Sequence, residues 1–76
     1  MADLRQAFGR RVRQLRRTSN FSQEEFADRA KLHPTYVSGI ERGHRNPSLV
    51  IIGRVAHALG VSLSDLFANV QRKRGR

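Results

Sequence analysis

The chain contains no cysteine and no tryptophan, and its aromatic residues are one tyrosine and four phenylalanines. Without cysteine it forms neither a disulfide framework nor a thiolate metal site, and this composition fits a reducing cytoplasm, where we expect the protein to act. So few aromatic rings offer no stacking platform for single-stranded nucleic acid. The three histidines are too scattered to predict a metal site.

Long apolar runs are also absent. No segment approaches the roughly 20 residues of a membrane-spanning helix, and the first residues lack the apolar stretch of a signal peptide. We find no carboxylate pair, no nucleophile–base pair and no glycine-rich phosphate loop in a plausible context, so we predict no catalytic residue, no cofactor and no small-molecule effector. The 76 residues predict one domain over 1–70 and a basic, disordered tail over 71–76.

Acidic residues are scarce in this chain. Six Asp and Glu stand against fifteen Lys and Arg, a net charge of +9, and every basic residue except Lys31 and Lys73 is arginine. The planar guanidinium group suits bidentate contacts with phosphate and guanine. The excess therefore predicts a polyanionic partner, which is DNA, RNA or an anionic membrane surface.

Apolar residues at helical spacing and repeated capping signals predict an all-α chain of five helices, over 2–18, 23–30, 34–42, 49–59 and 63–70. The second helix has the strongest start signal, because Ser22 and Glu25 form a capping box. Pro34 opens the third helix, where its missing N–H does no harm, and Gly43 ends it.

The apolar faces of these helices are expected to share one core. The predicted core residues are Leu4, Phe8, Val12, Leu15, Phe26, Ala27, Ala30, Val37, Ile40, Leu49, Ile52, Val55, Ala56 and Leu59. The remaining apolar residues of the last two helices divide between the core and a dimer interface. They are Ile51, Leu63, Leu66, Phe67 and Val70.

Residues 22–42 consist of two short helices joined by a tight turn, which is the arrangement of a helix-turn-helix. The outer side of the second of these helices carries Thr35, Ser38 and Gly39, where an ordinary surface helix more often has Glu and Lys. Short side chains allow a helix to approach base edges closely in the major groove of DNA. We therefore predict that these three residues face solvent and meet DNA.

Four segments in this order also resemble the Cro/C1-type (Xre) helix-turn-helix family: 22–27, 36–43, 45–49 and 58–62. The resemblance extends over about residues 8–68 and implies a lambda-repressor-like fold. The stretch 35–42 further resembles the controller proteins of restriction–modification systems. The resemblance implies a sequence-specific regulator that binds a double-stranded DNA operator as a homodimer and acts as a repressor.

The same resemblance implies roles for single residues. Gln23 matches a glutamine that contacts a phosphate, and Arg45 matches a loop arginine that reaches bases or phosphates. Tyr36 matches a tyrosine at the DNA backbone or a groove edge, with a core-edge aromatic as the alternative. Pro34 stands where controller proteins often carry arginine. The expected DNA-binding residues are Gln23, Pro34, Thr35, Tyr36, Ser38, Gly39, Arg42, Arg45 and Asn46.

Two further positions are expected to be structural. Arg16 and Glu41 match a buried salt bridge between the first helix and the recognition helix, and a lone carboxylate beside Ile40 would be costly without a partner. His33 stands where the family has a Ser or Thr cap, so a weaker start of the third helix is expected. The other arginines of the first helix form either a phosphate-contacting stripe or a solvated face.

Two other functions remain open from the sequence. The fold could serve a protein-interaction module, such as an antitoxin or adaptor, since fold alone does not determine function. A non-specific RNA-binding protein would also be basic, although the stacking aromatic residues are missing. Because Thr35 and Ser38 are weak base readers, DNA shape is expected to contribute to the specificity of a DNA-binding protein.

Overall fold

The computed structural model describes residues 2–70, with side chains from Leu4 onward. These residues form five helices and no strand: α1 (Ala2–Thr18), α2 (Gln23–Ala30), α3 (Pro34–Glu41), α4 (Leu49–Leu59) and α5 (Leu63–Leu66). The predicted all-α fold is confirmed for this range, whereas the predicted tail over 71–76 lies outside it. No helix within residues 2–70 combines the length and the apolar character needed to cross a membrane.

The helix α3 packs against α1 and α2, and α4 packs against α2 and α1. The side chains that this arrangement buries come from all five helices and the turn after α5. They are Phe8, Val12, Phe26, Ala27, Ala30, Val37, Ile40, Val55, Ala56, Leu59, Leu66 and Val70. Most of the predicted core is therefore confirmed, and burial of this apolar area is the main force that holds α3 in place.

The first turn of α4 departs from the predicted core. Leu49 and Val50 are 77% and 71% exposed, although they point to different sides of the helix. The later turns of α4 are covered, with Val55 and Ala56 buried. The predicted burial of Leu49 is therefore wrong, because the elements that cover Val55 and Ala56 leave this first turn open to solvent. Leu4, near the start of α1, is likewise 38% exposed and does not join the core.

Hydrogen-bonded caps begin both helices of the helix-turn-helix. At α2, the Ser22 hydroxyl accepts from the Glu25 N–H at 3.0 Å, and the Glu25 carboxylate accepts from the Ser22 N–H at 2.9 Å. This confirms the predicted capping box. At α3, Nδ1 of His33 accepts from the Thr35 N–H at 3.1 Å. A ring nitrogen thus takes the place of the missing hydroxyl, and α3 begins with one side-chain cap despite the departure at His33.

Gly43 ends α3 in a Schellman motif. It adopts the left-handed conformation with φ of 78°, and its N–H donates to the Ile40 carbonyl at 3.0 Å. The N–H of His44 donates to the Gly39 carbonyl at 2.8 Å. These bonds satisfy carbonyls at the end of the helix and turn the following loop back along α3.

The helix α5 ends at Leu66, so the predicted end at Val70 is wrong. Residues 67–70 form turns instead, with Asn69 in the left-handed conformation at φ 67° and the Val70 N–H bonded to the Phe67 carbonyl. The turn brings Val70 into the core. The side chain of Val70 is thus buried by a turn and not by a longer helix.

Gly9 is the point where α1 approaches the end of α3. A Cβ at this position would contact the Ile40 carbonyl oxygen and would lie 2.7 Å from the carbonyl oxygen of Glu41. Both are backbone atoms, so neither moves aside without separating the helices. Gly53 of α4 offers a contrast, because a Cβ added there would have no atom within 4 Å.

We predict that Gly9→Ala lowers the free energy of unfolding by roughly 1–3 kcal/mol, the usual effect of overpacking. The matched control Gly53→Ala should raise it by about 0.5–1 kcal/mol, because alanine is the better helix former. Urea unfolding followed by circular dichroism, at one protein concentration, measures both. Equal effects of the two substitutions would refute the close approach of α1 and α3.

Candidate nucleic-acid interface

A buried ion pair joins the end of α1 to the end of α3. The Nε of Arg16 donates to Oε2 of Glu41 at 2.6 Å, and Nη2 donates to Oε1 at 3.0 Å, which makes the contact bidentate. Arg16 and Glu41 are only 9% and 8% exposed. The expected salt bridge therefore forms where neither charge can be solvated by water, and each charge compensates the other.

Two more hydrogen bonds extend this ion pair toward α2. Nη1 of Arg16 donates to the Phe21 carbonyl at 2.8 Å, and Nε2 of Gln23 donates to Oε1 of Glu41 at 3.0 Å. Gln23 is half-buried and lies at the first position of α2. One amide hydrogen of Gln23 is thus used inside the protein, and the bond sets the orientation of its side chain.

The outer side of α3 carries the residues predicted to contact DNA bases, and it is only partly exposed to solvent. Thr35 is exposed, while Pro34, Tyr36 and Ser38 are half-buried. Gly39, by contrast, is buried. The prediction that Gly39 faces solvent is wrong, because another side chain of the site covers it.

The covering side chain is that of Arg45. Its guanidinium carbon lies 5.0 Å from the centre of the Tyr36 ring, in a cation–π contact. A Cβ added at Gly39 would lie 2.8 Å from Cγ and 3.1 Å from Nε of Arg45. The arginine therefore lies along α3, with its stem over Gly39 and its charged end over Tyr36.

The remaining candidate residues surround this surface. Arg42 is exposed, and its Nε lies 3.4 Å from the Ser38 carbonyl oxygen. Asn46 is exposed in the loop before α4. The structure thus brings Thr35, Arg42 and Arg45 to one side of the protein, with Gln23 anchored at the start of the neighbouring helix.

The arginines of α1 differ in their surroundings. Arg5, Arg10, Arg13 and Arg17 are exposed. Arg16 belongs to the buried ion pair, and Nη2 of Arg11 donates to the Asp65 carbonyl at 2.7 Å. Arg16 faces the protein interior, as the expected ion pair requires, and the exposed arginines of α1 are the four named first.

Three features of the site were not predicted. They are the bond from Gln23 to Glu41, the cap by His33 and the position of Arg45 over Gly39. A signal for the last was present, since a glycine inside α3 and the helix stop at Gly43 together allow the loop to fold back. The other two depend on side-chain orientations that spacing does not report.

A capped α2, a tight turn and a polar α3 edged by arginines define the class of helix-turn-helix domains. The family model described as "Helix-turn-helix" matches residues 12–66. The chain belongs to this helix-turn-helix family, as its resemblance to the Cro/C1-type group implied.

Curated relatives and a solved structure agree with this assignment. The chain is 39% identical over 74 residues to control protein C.MunI of a Mycoplasma species, covering 96% of this chain and 100% of that protein. It is 51% identical over 65 residues to control protein C.BamHI of Bacillus amyloliquefaciens, covering 84% and 80%. The crystal structure of the restriction–modification controller protein C.AhdI from Aeromonas hydrophila matches with a TM-score of 0.83 and 46% identity, covering 88% of this chain and 100% of that one.

We predict that Arg16→Met lowers the free energy of unfolding by roughly 3–5 kcal/mol, because Glu41 would remain buried without its counter-charge. Arg13→Met, on the exposed side of the same helix, should change it by less than about 0.5 kcal/mol. Urea unfolding measures the free energy of unfolding of both variants. If Arg16→Met alone fails to fold, with loss of its helical circular dichroism signal, the predicted destabilisation is also confirmed. Equal stability of both would show that the ion pair has no structural role.

Proposed function

We propose that the protein is a sequence-specific regulator of transcription that binds double-stranded DNA as a homodimer and represses by blocking polymerase. The observation that carries the proposal is the outer side of α3, where Thr35, Arg42 and Arg45 are exposed. A helix of this size fits the major groove, and the guanidinium groups beside it suit phosphates and base edges. The net charge of +9 supports a polyanionic partner.

Each side chain has a distinct proposed role. The second amide hydrogen of Gln23 donates to a phosphate, and the bond to Glu41 holds the group in register for that contact. Arg42, Asn46 and the exposed arginines of α1 add further phosphate contacts. Thr35 packs its methyl group on a thymine methyl, while Ser38 and the Tyr36 hydroxyl reach groove edges. Pro34 has no donor to offer and instead fixes the start of α3.

The dimer interface is proposed on α5. Leu66 and Val70 belong to the core, and the exposed apolar residues of this region are Leu63, at 47%, and Phe67, at 41%. Phe67 stacks on Phe8 of α1 with ring centroids 5.3 Å apart, which gives the patch a rigid support. Two copies joined here would present two α3 helices to half-sites about one helical turn apart, roughly 34 Å.

Selection of bound duplexes from a random pool tests the function. We expect a palindromic motif, whose affinity falls roughly 1000-fold or more between 50 and 200 mM salt if six or more phosphates are contacted. A flat salt response would contradict the phosphate contacts. Failure to select any duplex, with a protein partner co-purifying instead, would favour an antitoxin or adaptor in the cytoplasm.

Dimerisation is tested by Leu63→Glu, which should weaken self-association at least about tenfold, because a carboxylate would have to be buried between the copies. Ser64→Glu adds the same charge to the same exposed turn and should leave self-association unchanged. Sedimentation equilibrium without DNA measures both variants. Unchanged self-association of Leu63→Glu would place the interface elsewhere.

A further inference from the structure

We propose that Gly39 is a positioning residue that acts through Arg45. Because Gly39 has no side chain, the surface of α3 has a shallow depression there. The Arg45 stem lies in this depression, which directs the Arg45 guanidinium toward a guanine in the major groove. The inference rests on the proposed function and deepens it, because it names the base and the side chain that reads it.

The loop after α3 first brings Arg45 to this place. The Schellman motif at Gly43 reverses the chain, and the His44 N–H donates to the Gly39 carbonyl at 2.8 Å. The backbone just before Arg45 is therefore tied to the same residue whose missing side chain makes room for the arginine stem. The carbonyl of Gly39 and the absence of a side chain there thus both place Arg45.

The side chain of Arg45 is then held along its length. Its stem lies over Gly39, and its guanidinium carbon lies 5.0 Å from the centre of the Tyr36 ring. Within residues 2–70, the guanidinium makes no hydrogen bond to the protein, so its N–H groups are free to donate. An arginine held in this way loses less side-chain entropy on binding than one that extends freely into solvent.

The direction of Arg45 favours a base over a phosphate. The side chain lies along the outer side of α3, the helix that enters the groove, and its charged end lies over Tyr36 in the first half of that helix. The N-terminal part of a recognition helix is the part that meets base edges. Pro34 has no donor, and the single hydroxyls of Thr35 and Ser38 cannot make a bidentate contact with guanine, whereas the arginine fork matches its O6 and N7 acceptors.

Alanine at position 39 would separate this role from folding. Its Cβ would lie 2.8 Å from Cγ of Arg45, which must turn away. Arg45 is an exposed side chain with room to move, and alanine is a better helix former than glycine, so the protein should remain folded. Gly39→Ala should therefore displace the Arg45 side chain from its position on α3 without lowering the free energy of unfolding.

The experiment is a double-mutant cycle in the full chain, with Gly39→Ala, Arg45→Ala and both together. The probes are the duplex that the wild type selects from a random pool and a random-sequence duplex of equal length. We expect Arg45→Ala and Gly39→Ala each to lower the ratio of the two affinities roughly 5- to 100-fold. The double variant should show no larger decrease in this affinity ratio than Arg45→Ala alone.

Two controls make the cycle specific. Gly53→Ala also replaces a helical glycine, but nothing lies within 4 Å of the added Cβ, so the affinity ratio should not change. Arg45→Lys retains the charge without the fork, so it should keep its affinity for random DNA and lose discrimination. Renewed selection should show a guanine in each half-site with the wild type, and no preference there with Gly39→Ala or Arg45→Ala.

The proposal is overturned if Gly39→Ala retains the guanine preference. It is also overturned if Gly39→Ala lowers the affinity ratio as much in the Arg45→Ala background as it does in the wild type. The added methyl group would then act directly on DNA and not through Arg45. If the wild type selects no duplex, the proposed function itself fails. If instead the wild type selects a duplex and its guanine preference does not depend on Gly39, only the positioning role of Gly39 fails.

Discussion

The helix-turn-helix of this protein depends on one buried ion pair. Glu41 at the end of α3 accepts hydrogen bonds from Arg16 of α1 and from Gln23 of α2, so one carboxylate connects three helices. A buried carboxylate is stable only with such partners at hydrogen-bonding distance, and any shift of α3 would therefore leave a charge without compensation. Apolar burial would tolerate small rotations of α3, whereas this network favours a single orientation.

The same network connects folding with the proposed recognition of DNA. Gln23 is oriented by Glu41 and stands at the start of α2, while Arg45 is placed by the turn that ends α3. Both groups are thus positioned before DNA arrives, and their side-chain entropy is partly lost already on folding. For the proposed readout by Arg45, the missing side chain of Gly39 is an advantage, because this arginine comes from the loop and its stem occupies the space over Gly39.

Much of the fold was predictable because its signals are local. The capping box at Ser22 and the helix stop at Gly43 act within a few residues, and the apolar spacing of Phe26, Val37 and Ile40 marked the core sides of α2 and α3. The family resemblance supplied the pairing of Arg16 with Glu41, which spacing alone does not contain. Predictions failed where distant neighbours decide, as for Leu49, Gly39 and the end of α5.

By itself, the sequence determined the helix starts, the apolar sides and the excess of arginine, since capping, periodicity and net charge are properties of neighbouring residues or of composition. Tertiary structure decided which arginine is buried, which apolar residues of α4 and α5 remain exposed, and which side chain covers Gly39. These outcomes depend on segments far apart in the chain, or on a loop that folds back onto its helix. Burial and desolvation are settled only when those segments meet.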